Sequence, residues 1–153
     1  MIIINPVTVA GFKILSAELA DLLNCKMPNC LLEIKEHREK GDLSENAEYH
    51  AARQYHNEVA RRAKALQNFL QDCQQIDCRN YKANQVVLFG CIVHLHSDSD
   101  KVQYKIVNTL ELPLFDDSIS IHSPLAKSVI GKKVGDTFHL NESAFKVCRI
   151  EYT

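Results

Sequence analysis

The chain has 153 residues, a formal net charge of −1 at pH 7, 46% apolar and 24% charged residues, and no Trp. That length allows one medium domain or two small ones, and the near-zero charge excludes a global electrostatic drive toward nucleic acid, so any such contact needs a local patch. No apolar run approaches the roughly 20 residues of a membrane span, and the opening "MIII" lacks the length and basic start of a signal peptide, which points to a cytoplasmic protein.

Residues 11 to 79 contain one proline, Pro28, and two glycines, Gly11 and Gly41. Phe12, Leu15, Leu19 and Leu22 recur at steps of 3 and 4, which predicts a first helix. Pro28 lacks a backbone donor and should kink it, after which Leu31 and Ile34 resume the pattern in a shifted phase. Gly41 should stop the helix, with Arg38 and Lys40 in the last turn, where the dipole favours cations. In "GDLSENAEYHAAR", residues 41 to 53, Ser44 is the expected N-cap of a second helix, and Glu45 and Glu48 suit its first turns. Ala52, Tyr55, Val59, Arg62, Leu66, Phe69, Cys73 and Ile76 then alternate steps of 3 and 4, the pattern of a coiled-coil seam. Two antiparallel helices follow, each on the order of 45 Å long, with Asp42, Glu45 and Glu48 gathered at the tip.

Six cysteines stand at 25, 30, 73, 78, 91 and 148, and C-x4-C occurs twice. The hairpin pairing separates Cys25 from Cys73 by about 14 Å along the axis, too far for sulfurs that must lie about 2.3 Å from one zinc ion. Neither a shared zinc site nor a Cys25–Cys73 disulfide is expected.

Residues 80 to 153 are richer in β-branched residues. "QVVLFGCIVHLH", "KVQYKIV", "SISIH", "VGDTFHL" and "AFKVCRIEY" read as strands, and "HSDSDK" as a turn. "SPLAKSVIG" reads as a short helix, with Ser123 as N-cap, Pro124 at its first position and Gly131 past its end. The expected fold is α+β: a coiled-coil hairpin over 1–79, then an antiparallel sheet with one helix over 80–153. His94 and His96 share a strand face near Asp98 and Asp100, but no firm third metal ligand accompanies them.

Three stretches carry a resemblance to a known family. "GDLSENAEYHAAR" resembles the tip signature of the bacterial transcript-cleavage factors, the GreA/GreB family. "SPLAKSVIGKKVGD" resembles their C-terminal signature, and "VTVAGFKILSAEL" the start of their N-terminal helix. The resemblance covers nearly the whole chain in order. It implies an FKBP-like C-terminal domain that docks on bacterial RNA polymerase at the rim of the secondary channel. Ser123, Pro124 and Leu125 lie in that docking signature. It also implies a rod that enters the channel and stimulates the polymerase to cleave the 3′ end of a backtracked transcript. The family's two catalytic acids fall on Asp42 and Glu45. The near-neutral hairpin is closer to GreA than to GreB, and the chain is expected to act as a monomer.

The chemistry is consistent with that implication. Two-metal phosphodiester cleavage needs both ions held and a water activated. Mg²⁺ takes oxygen ligands and keeps several waters, so Asp42 and Glu45 can complete a site held jointly with the polymerase while binding no ion tightly alone. The competing reading is that these acids only cap the second helix. Arg38 and Arg53 should face each other just behind the tip and suit the phosphates of an RNA 3′ segment, although a solvated face of ion pairs explains them equally. Tyr49 and Tyr55 could stack on a base or pack, with packing favoured for Tyr55. Alternatives for the whole chain are a channel-binding inhibitor of the polymerase, an FKBP-type prolyl isomerase and a plain coiled-coil adaptor.

Overall fold

The structure, a computed structural model, describes residues 4–41 and 46–153. They form two compact units. One is Lys13–Asp72; the other joins the N-terminal segment through Phe12 to Cys73–Thr153. This division differs from the expected boundary between 79 and 80. Its cause is a pairing invisible to periodicity: β1 (Pro6–Thr8) runs parallel to β2 (Gln74–Ile76), which ties the start of the chain to the C-terminal unit.

The hairpin unit has two arms. The first is α1 (Val9–Asp21), a π-helical turn (Leu22–Lys26) and α2 (Met27–Glu39); the second is α3 (Ala47–Asp72). Pro28 does not break the first arm. It sits at the start of α2, and the preceding turn widens so that Met27 N–H reaches Leu22 C=O. The wide turn absorbs the missing donor and produces the phase shift seen in the sequence. Lys40 N–H bonds to His37 C=O, and Gly41 follows at φ 147°.

The seam of α3 differs from the expected one. Tyr49, Ala52, Val59, Ala63 and Leu66 are buried. With the half-buried His56 and Leu70 they step by 3 and 4, so Ala52, Val59 and Leu66 are seam residues as read. The intervening positions move by one: His56 replaces Tyr55 and Ala63 replaces Arg62, while Phe69 and Leu70 are both half-buried. Steps of 3-4 and 4-3 are equally regular, so spacing alone does not choose between them. Tyr55 is 48% exposed, and the helix ends before Cys73 and Ile76.

Arg62 instead lies at the seam edge and grips Glu18 with Nε–Oε1 2.7 Å and Nη2–Oε2 3.0 Å. The guanidinium holds the Glu18 carboxyl below its ordinary range, against a smaller opposing effect of burial. A carboxyl depressed in the folded state adds stability above its unfolded pKa of about 4.3, and that stability is lost as pH falls through the lower folded value. Both side chains are about one-third exposed, which limits the effect. Glu18→Gln should therefore cost about 0.5–1 kcal/mol at pH 7. The gap to wild type should close as urea unfolding is repeated below about pH 4; a gap that persists there would mean the pair acts through packing.

The C-terminal unit is a five-stranded sheet of β3 (Ile92–His96), β4 (Lys101–Val107), β5 (Ser118–Ser120), β6 (Thr137–Leu140) and β7 (Ser143–Glu151). Their order across the sheet is β5-β4-β3-β7-β6. The sheet is mixed rather than antiparallel, because β4 and β5 run parallel. A parallel pair needs a crossover, and a 3₁₀ turn, Thr109–Leu114, supplies it. "QVVLFG" is not a strand; Val86 makes only an isolated bridge with Lys133. Val93, Leu95, Ile106, Phe138 and Val147 form the core with Ala126 and Val129 of α4 (Pro124–Val129). No helix among the described residues is long and apolar enough to cross a membrane.

Asn108 and Glu111 form a capping box on the 3₁₀ turn. Glu111 is fully buried and ties that turn to the chain's start. Its Oε1 accepts from Thr8 N–H and Thr8 O–H, and its Oε2 from Asn108 N–H. The Asn108 amide donates to Pro6 C=O at 3.0 Å.

Candidate functional site

The expected catalytic acids, Asp42 and Glu45, lie outside the described residues, as does Ser44. The residues that bracket them are described. Asn46 caps α3: its Oδ1 accepts from Tyr49 N–H at 3.0 Å, and its C=O from His50 N–H at 3.1 Å. Asn46 Nδ2 also donates to His37 C=O at 3.1 Å. One side chain thus caps the second helix and staples it to the end of the first. Asparagine is among the best N-caps, so the residue type carried the signal; the serine two positions earlier competed with it.

Glu48 stands in the first turn of α3, and its Oε2 lies 3.3 Å from His37 Nδ1 on the other arm. Its carboxyl is turned to an imidazole of the partner helix. This suits a positioning role at the tip.

Behind this junction Tyr49 is 6% exposed. Arg53, one helical turn on, places its guanidinium carbon 5.8 Å from the Tyr49 ring centroid. Arg38, from the opposite arm, and Arg53 both act on the Tyr49 hydroxyl. Arg38 is the main cause that holds this phenol below its ordinary value, against the smaller effect of burial. The structure therefore brings Arg38 and Arg53 to one tyrosine, and no ion pair with a described carboxylate engages either one. Sequence reasoning paired the arginines and left Tyr49 open between base stacking and packing; it did not connect that tyrosine with the arginine pair, because the contact joins the two arms.

In the C-terminal unit, Ser123 Oγ accepts from Ala126 N–H at 3.2 Å and caps α4. Leu125 is half-buried against the core, and Pro124 is exposed. Of the three expected docking residues, Pro124 alone presents an open surface, flanked by the exposed His122 and Lys127. His94 Nε2 lies 3.5 Å from Glu151 Oε2, and among the described residues no three His, Cys, Asp or Glu side chains group to hold a metal ion. Cys30, Cys78 and Cys91 are buried, and burial pushes the Cys91 thiol up to about 11, so it is a weak nucleophile.

Residues 5–74 match the family model "Transcription elongation factor, N-terminal", and residues 82–152 match "Transcription elongation factor, GreA/GreB, C-term". A protein of Thioalkalivibrio sulfidiphilus named transcription elongation factor GreA is 41% identical over 134 residues, covering 86% of this chain and 85% of the relative. Its namesake in Xylella fastidiosa strain 9a5c is 36% identical over 154 residues, covering 96% and 97%. Among solved structures, the GreA factor homolog 1 (Gfh1) of Thermus thermophilus aligns over 95% of this chain and 97% of its own, at 22% identity and a TM-score of 0.45. The two matched models account for nearly the whole chain, and the chain belongs to the GreA/GreB family of transcription elongation factors.

Proposed function

We propose that the chain acts on bacterial RNA polymerase as a GreA-type factor, its hairpin entering the secondary channel to stimulate cleavage of backtracked transcripts by the polymerase's own active site. The observation that supports this most is the tip. Asn46 staples the ends of both arms, and so brackets the acidic segment at the end of a helical hairpin. Arg38 and Arg53 stand behind it with no described carboxylate to neutralise them. They suit the phosphates of an extruded RNA 3′ segment.

The residues that would hold Mg²⁺ are Asp42 and Glu45, whose oxygen-only donors fit that ion by type. With the polymerase's own ligands, the ion would stabilise charge on the scissile phosphate and activate water. Two carboxylates alone are too few for tight binding, so the free factor would leave RNA intact. Arg38 and Arg53 would bind and orient the RNA, and Asn46 would keep the tip in register.

The test is cleavage of a 3′-backtracked, 5′-labelled transcript in a stalled polymerase complex. The expected result is a shortened RNA that can be extended again. A bound factor that leaves the transcript intact and slows elongation would establish the inhibitor reading instead. A second prediction addresses docking. Pro124 is exposed at the first position of α4, where Glu suits the helix dipole and leaves the Ser123 cap in place. Pro124→Glu should weaken polymerase binding by about tenfold with an unchanged fold. Unaltered affinity in a competition assay would move the docking surface elsewhere.

A further inference from the structure

The outward face of the five-stranded sheet collects cations. Its strands contain Lys101, Lys105, Lys146 and Arg149 against a single carboxylate, Glu151, in a chain whose net charge is −1. Strand alternation explains the segregation: Val93, Leu95 and Val147 turn to the core, and their polar neighbours turn away.

The register arranges these groups. His96 pairs with Lys101 on β4 and with Lys146 on β7. His94 pairs with Gln103 and Arg149. Strands lie about 4.8 Å apart, so each row spans roughly 10 Å, and the two rows are about 6.6 Å apart. The ladder shifts between His94 and Leu95, leaving Cys148 as the extra residue of a bulge on β7. A bulge bends its strand. At this place opens a concavity of about 440 Å³, lined by both histidines, Lys101, Gln103, Arg149 and Cys148.

One carboxylate already occupies part of the face. Glu151 lies 2.8 Å from Arg149 Nη2 and 3.5 Å from His94 Nε2. Lys101 and Lys146 have no such partner among the described residues. Neither row carries a Phe, Tyr or Trp on which a base could stack. The exposed Cys148 side chain at the bulge gives the lining an apolar spot that suits a protein side chain better than a phosphodiester backbone.

We propose that this face docks an acidic segment of a protein partner, with carboxylates on Lys101 and Lys146 and a small apolar side chain in the concavity between the rows. The proposal does not depend on the polymerase reading, since the isolated full-length chain tests it. The probe is a short peptide of alternating Glu and Ala, titrated into isotope-labelled protein and followed by NMR. Saturable shifts should centre on His94, His96, Lys101 and Cys148, and a Gln–Ala peptide should produce none. Lys101→Glu combined with Lys146→Glu should weaken the binding by about tenfold or more, whereas Lys127→Glu on α4 should not. Both lysines are exposed, and circular dichroism checks that the variant is folded. Shifts centred elsewhere, or none, would overturn the proposal. Tighter binding of a duplex DNA of about two helical turns through the same residues would also overturn it, in favour of a nucleic-acid face.

Discussion

Asp42→Asn will abolish stimulated cleavage while leaving the hairpin's helix content at the wild-type level. The substitution keeps the size of the side chain and removes its charge. It spares the helix cap, because Asn46 caps α3. A loss of cleavage would then report the carboxylate and not a frayed tip. We expect a loss on the order of 100-fold or more in cleavage rate at saturating factor, the scale set by removing one preorganised group that stabilises developing charge. Polymerase binding should persist or tighten slightly, since a negative charge facing other carboxylates is relieved. Glu45→Gln should behave alike, and higher Mg²⁺ should partly rescue both variants. Glu48→Gln should be milder, because that carboxyl is turned toward His37. If Asp42→Asn cleaves at the wild-type rate while bound, the acids of the tip are not metal ligands.

Gly11→Ala will be among the most destabilising single substitutions in the chain. A Cβ at position 11 would lie 1.9 Å from Glu111 Oε1 and 2.7 Å from its Cδ. Glutamate ends are flexible on a surface, but this one is fully buried and accepts three hydrogen bonds. It cannot move aside without stranding the Thr8 and Asn108 donors. Hydrogen bonds to charged groups contribute about 1.5–3 kcal/mol each, and an orphaned buried donor costs a similar amount. The expected loss is about 3–5 kcal/mol, or roughly 10 °C in unfolding midpoint for a chain of this size. Glu111→Gln should cost about 2–3 kcal/mol, because its new amide would face an N–H donor on one side. Urea unfolding measures both. A Gly11→Ala variant within 1 kcal/mol of wild type would show that the N-terminal segment re-seats freely and that the Glu111 cluster does not hold it.

The sequence alone determined the parts of this protein that rest on local chemistry. Period-3.6 apolar spacing marked both arms, Gly41 marked the end of the first, and the Ser123-Pro124 pair marked the start of α4. The tip motif and the C-terminal signature pointed to the family before any coordinate did. These features are legible because capping, helix termination and strand alternation each depend on a few neighbouring residues. Only the tertiary structure decided what depends on residues far apart. The true seam on α3 could not be chosen from spacing, since Tyr55 and His56 continue the 3 and 4 steps equally well; packing settled it by burying Ala63, half-burying His56 and leaving Tyr55 48% exposed. The parallel pairing of Pro6–Thr8 with Gln74–Ile76 joins segments nearly 70 residues apart, and no local pattern announces such a contact. Nothing local in "LELPL" marks Glu111 out, yet its carboxyl is buried because Thr8 and Asn108 supply the donors that make burial tolerable.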